Sequence, residues 1–148
     1  MNDKYDTYLL MLRERIERDG YAAQYVFGDP ATGAAPYGYT VGLHESDGYE
    51  LAVCGLDASA TAVVLRRLSE HLRREAVQPV ADLRVPGIIA GYDIQLRPVQ
   101  GPDALGIVGA LYGFDPPAWQ AVWPDAKGHF PGDQEHGYGV SAAGQRLL

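Results

Sequence analysis

Two alternating segments, Tyr37 to Leu43 and Tyr49 to Gly55, are separated by the five residues His44 to Gly48. A link that short cannot carry a crossover helix, so the two strands pair antiparallel, as a hairpin does. The flanking elements extend this pair into a layered fold. Lys4 to Asp19 places Tyr5, Tyr8, Leu9, Leu12 and Ile16 on one helical stripe, with Arg13, Glu14, Arg15, Glu17 and Arg18 on the other side and Gly20 as the stop. Tyr21 to Phe27 reads as a first strand before the turn formers Gly28 to Gly33. After the hairpin, Asp57 or Ser59 caps a second helix running to about Glu75. Its apolar stripe is Thr61, Val64, Leu65, Leu68 and Leu72; Arg66, Arg67, Arg73 and Arg74 form a solvated basic face.

The second half is more broken. Gln78 to Gly91 holds Pro79, Pro86 and two glycines, which predicts a loop with a short strand near Ala81 to Val85. Tyr92 to Val99 alternates well, and Pro98 puts it at a sheet edge or marks its end. Asp103 to Tyr112 is a third helix, weakened by Gly106 and Gly109. Trp119, Ala121 and Trp123 then alternate with Gln120 and Val122, giving a last strand with an aromatic face at a sheet edge. Pro124 ends it, and the chain turns at Gly128. The expected architecture is α+β: a single domain over residues 1–148, with a largely antiparallel sheet of four to six strands packed with three helices. Residues 132–148 form an irregular glycine-rich tail.

Composition narrows the function classes. A chain that is 47% hydrophobic and 21% charged is typical of a soluble globular protein. No apolar run reaches membrane-spanning length, and the first residues have neither a basic cap nor an apolar h-region, so no membrane and no secretion are expected. The lone Cys54 suits a reducing cytoplasm and reads as a buried small hydrophobe. A net charge of −7 repels phosphate backbones, which argues against nucleic-acid binding. No cofactor and no oligomeric state can be read from the sequence.

Several motifs fail on inspection. Gly28 and Gly33 sit at phosphate-loop spacing, but Ala34 and Ala35 stand where Lys and Ser/Thr are needed. Ser141 misses the nucleophile-elbow pattern by one residue, and the glycine run around Tyr138 lacks a βαβ unit. The four histidines, His44, His71, His129 and His136, show no metal-ligand spacing, and no metal site is assigned.

Polar side chains beside aromatic ones remain. The second strand has a glycine-lined trough, Gly38 and Gly42 with Thr40 between them, that fits either a packed helix or a ligand. Asp125 follows Trp123 and Pro124, and Glu50 opens the third strand. A carboxylate held against an indole loses solvation and becomes suited to proton transfer. The structural alternatives are turn formation for Asp125 and simple solvation for Glu50. On the first reading a small-molecule pocket lies between the Tyr37–Leu43 strand and the Trp119–Pro131 turn. Tyr39, Trp119 and Trp123 are its walls, and Thr40, His44 and Gln120 orient the ligand. Asp125 or Glu50 is the proton-transfer group, with His129 or His44 as partner. The alternative is a protein-binding accessory or immunity-type module that uses an acidic, tyrosine-rich surface.

Tyr39-Thr40-Val41-Gly42-Leu43, Glu50-Leu51, and Gln120-Ala121-Val122-Trp123-Pro124-Asp125 with Gly128, Phe130, Pro131 and Gln145 resemble a bacterial family, the domain of unknown function 4262. The resemblance spans nearly the whole chain and implies a small bacterial cytoplasmic protein without assigning a reaction, cofactor or catalytic residue. The chain departs from that pattern at Tyr49, in place of a proline, and at Gly132, in place of a tryptophan.

Overall fold

A computed structural model describes residues 3–101, 104–125, 127–130 and 147–148. The elements in chain order are α1 (Asp3–Asp19), β1 (Ala22–Val26), β2 (Tyr37–Val41), α2 (His44–Asp47), β3 (Glu50–Cys54), α3 (Ala58–Arg74), β4 (Arg84–Ile89), β5 (Tyr92–Pro98), α4 (Gly106–Tyr112) and β6 (Ala118–Val122). The six strands form one sheet in the order β1-β2-β3-β6-β5-β4. All neighbours are antiparallel except β3 and β6, which run parallel. Among the described residues the fold is therefore α+β, with a mostly antiparallel sheet and four helices, three of them seven residues or longer.

Strand alternation divides the core into two layers. Leu51 and Val53 face α3, whose Val64, Leu65, Leu68 and Leu72 are buried with Val85, Ile94, Leu96 and Ala121. Tyr39, Val41 and Ala52 face the other way, onto Leu12 and Ile16 of α1 and Val108 and Leu111 of α4. Each buried aliphatic of α3 is worth roughly 1.5–3 kcal/mol of transfer free energy. Truncating Leu65, which is fully enclosed, would cost about 2–5 kcal/mol. Asp57 caps α3 by accepting from Ala60 N–H at 2.7 Å, and Gly20 closes α1 with its N–H on Ile16 O at 2.8 Å.

The structure corrects the sequence reading in four places. His44–Asp47 is a short helix within the expected loop, closed by Gly48 in the left-handed region. The strand expected near Ala81 runs over Arg84–Ile89, because a register shift between Val85 and Ile89 absorbs Pro86 and Gly87 without breaking the ladder. Pro98 ends β5, the second of the two roles expected for it, and the strand is interior between β4 and β6. The tryptophan strand β6 is also interior, held by β3 on one side and β5 on the other, so its aromatic face is not at an edge. The trough does not lie on one face. A Cβ on Gly38 would sit 2.3 Å from Thr61 Cγ2 of α3, whereas one on Gly42 would meet Ile16 of α1 at 2.7 Å. Gly42 lies past the strand end at φ +93°, which breaks the alternation. The glycine-rich tail expected over 132–148 falls outside the described residues except for its last two.

Candidate functional site

The turn from Gly42 to His44 folds back over the start of β3. Because Gly42 adopts a positive φ, the N–H groups of Gly42, Leu43 and His44 converge on one point. The Glu50 carboxylate fills it. Oε2 accepts from Gly42 N–H at 3.0 Å and His44 N–H at 3.2 Å, while Oε1 accepts from Leu43 N–H at 3.1 Å. Thr40 Oγ1 accepts from Leu51 N–H at 2.8 Å and donates to Oε1 at 2.7 Å. The fifth contact is with the His44 ring, whose Nδ1 bonds Oε2.

Glu50 is 0% exposed, so its contacts replace solvent entirely. The three N–H groups and the Thr40 hydroxyl all donate to it, and a carboxylate is the form of the side chain that can only accept. Against a carboxylate Nδ1 of His44 is the donor, which leaves the lone pair on Nε2 whenever the ring is neutral. Among the described residues nothing hydrogen-bonds Nε2, and the His44 side chain keeps 11% of its surface exposed. The ring is packed edge-on against Tyr112, centroids 4.5 Å apart at 82°, and against Phe114, 5.5 Å at 90°. Phe114 is 54% exposed, so this aromatic wall reaches solvent. Tyr112 donates its hydroxyl to Glu45 at 2.8 Å. Burial first, and then that acidic partner, push its phenol well above the usual tyrosine value.

The second carboxylate–histidine pair lies elsewhere. Asp125 Oδ1 accepts from Lys127 N–H and His129 N–H, both at 2.9 Å, and Asp125 N–H donates to His129 O at 2.7 Å. This is the Asx turn that proline-aspartate chemistry favours. His129 Nδ1 stands 3.7 Å from Asp125 Oδ2, in ion-pair range but beyond a hydrogen bond. In the parallel β3–β6 pair Glu50 is level with Ala118, the first residue of β6, and Asp125 lies beyond its last. At about 3.3 Å per strand residue the two pairs sit at opposite ends of β6.

The remaining expected residues are distributed accordingly. Thr40, His44 and Glu50 come together. Tyr39 is buried on the α1/α4 side, its hydroxyl accepting from Ile107 N–H at 3.0 Å. Gln120 is buried, with Oε1 accepting from Leu148 N–H at 2.7 Å. Trp119 and Trp123 are half-buried against the α3-side core. Tyr112 and Phe114 were not legible as site residues. They flank Gly113 far along the chain, and no local pattern ties them to His44. Among the described residues, no group of three or more His, Cys, Asp or Glu side chains could hold a metal ion.

A family model described as "Domain of unknown function (DUF4262)" matches residues 15–137. No curated protein and no solved structure matches the chain.

Proposed function

The chain belongs to the family of the domain of unknown function DUF4262, and on that premise we propose that it binds a small molecule at His44 and exchanges a proton with it. The observation that carries this reading is the buried bond between His44 Nδ1 and Glu50. An imidazole fixed on one nitrogen by an enclosed carboxylate offers the other as a base of defined direction. When Nε2 takes a proton from a ligand hydroxyl or ammonium, the imidazolium forms beside the Glu50 charge, which stabilises it. Tyr112 and Phe114 supply the apolar wall against which a ligand would lose water. Thr40 and the Gly42–His44 amides act through Glu50, holding it still.

The test is a fragment and metabolite screen read by NMR on the full chain. A ligand of this site shifts His44, Tyr112 and Phe114 signals together, moves the His44 ring nitrogens, and loses affinity in His44→Ala. A screen whose hits all map away from these three residues would contradict the reading. The alternative, a protein-binding surface of exposed tyrosines, has less support. The hydroxyls of Tyr8, Tyr25, Tyr37, Tyr39 and Tyr112 are all bonded within the chain.

A further inference from the structure

The last turns of α1 and one face of α3 border an open cleft of about 860 Å³ over the start of β1. We infer that this cleft binds a compact anion carrying two or more phosphate groups. Five arginines line it: Arg15 and Arg18 from α1, and Arg66, Arg73 and Arg74 from α3. On α3 the spacing 66, 70, 73, 74 is one helical face, and on α1 the spacing 15, 18, 19 is another. The fold therefore turns two cationic stripes, distant in sequence, toward one space. In a chain of net charge −7, a concave concentration of positive charge focuses the field on anions.

Ordinary structural roles account for only part of the cluster. Arg18, Arg73 and Arg74 lie in the closing turns of their helices, where cations offset the dipole. They also have acidic partners: Asp19 at 3.0 Å, Asp47 at 3.0 Å and Glu75 at 3.6 Å. Arg15 and Arg66 lie outside those closing turns, and among the described residues neither makes a salt bridge. Both are exposed and both face the cleft. Their planar forks match phosphate oxygens two at a time. Glu70 and Asp19 share the lining and disfavour a long polyanion laid across it. The negative charge of the chain as a whole repels nucleic acid. A short phosphorylated molecule reaching between Arg15 and Arg66 satisfies both constraints.

The experiment is calorimetric titration of the full chain with inorganic tripolyphosphate at low and at physiological salt. The expected result is saturable binding that weakens as salt rises. Affinity falls by about tenfold or more in the double variant Arg15→Gln/Arg66→Gln, while Lys127→Gln, which removes one exposed cation outside the cleft, binds as the unaltered chain does. Both substituted arginines are exposed, and an unchanged circular dichroism melt shows that the double variant folds. A nucleoside triphosphate arm tells whether a base adds affinity to the phosphates. Tripolyphosphate that does not bind, affinity equal in the double variant, or tighter binding of duplex DNA or an acidic peptide would each overturn the inference. The His44–Glu50 reading is independent of all these outcomes.

Discussion

Gly38 of β2 lies directly beneath Thr61 of α3, close enough that a Cβ at residue 38 would sit 2.3 Å from Thr61 Cγ2. The helix can lie on this strand because the strand has no side chain there. Gly38→Ala is expected to destabilise the chain by about 1–3 kcal/mol through overpacking. In a Thr61→Ser background, which removes the colliding methyl, the same substitution should cost markedly less. Chemical denaturation of the four proteins gives the coupling directly, and additive effects would show that α3 does not rest on Gly38.

Glu50→Gln places an amide donor among groups that are themselves donors, in a fully buried site. A loss of about 1–3 kcal/mol is expected, as for leaving a buried donor without its acceptor. Thr40→Val, which removes one donor to the carboxylate and the acceptor for Leu51 N–H, should cost about 1–3 kcal/mol. Denaturation midpoints measure both, and a neutral Glu50→Gln would show that the turn does not depend on the carboxylate.

Asp125 acts through its own backbone turn. Asp125→Ala should cost about 1–2 kcal/mol by leaving the Lys127 and His129 N–H groups without their acceptor. Asp125→Asn, which keeps an acceptor oxygen in the same place, should retain most of the stability. Equal losses in the two variants would point to the charge, and hence to the ion pair with His129.

Alkaline pH provides a further check. Burial lifts the Tyr39 phenol to about 12, against 10.0 for ordinary tyrosine, despite the opposing N–H from Ile107. The folded state thus holds this proton more tightly than the unfolded chain does. The resulting stability, on the order of 2 kcal/mol, is complete below about pH 10 and is lost as pH rises through 12. Tyr39→Phe, with no phenol to ionise, should show a shallower fall of stability over that interval. Tyrosinate absorbance followed against pH should show one fewer late-ionising tyrosine in Tyr39→Phe than in the unaltered chain, with Tyr112 ionising late in both.

Local periodicity made much of this fold legible. The stripe Thr61, Val64, Leu65, Leu68 and Leu72 is buried as its spacing predicts, and the short link from His44 to Gly48 joins an antiparallel pair. The parallel contact of β3 with β6 was not legible, because it joins segments more than sixty residues apart; no turn chemistry specifies it. That pairing makes β6 interior and sends Asp125 and Glu50 to opposite ends of it. Glu50 itself was ambiguous for a different reason. A glutamate opening a strand reads as solvated, and its burial depends on three N–H groups that converge only because Gly42 takes a positive φ. The arginine faces of α1 and α3 each read as a solvated helix side, since nothing local shows that two such sides share one cleft.

The claim on which the site depends is that Glu50 fixes the His44 ring with its hydrogen on Nδ1 and its lone pair on Nε2. Long-range proton–nitrogen correlation spectra of the imidazoles report this directly. At a pH where the ring is neutral, the account predicts a pyrrole-type shift for His44 Nδ1 and a pyridine-type shift for Nε2, and in Glu50→Gln that preference weakens. A His44 ring with its hydrogen on Nε2, or an even mixture of the two forms in the unaltered chain, would contradict the account.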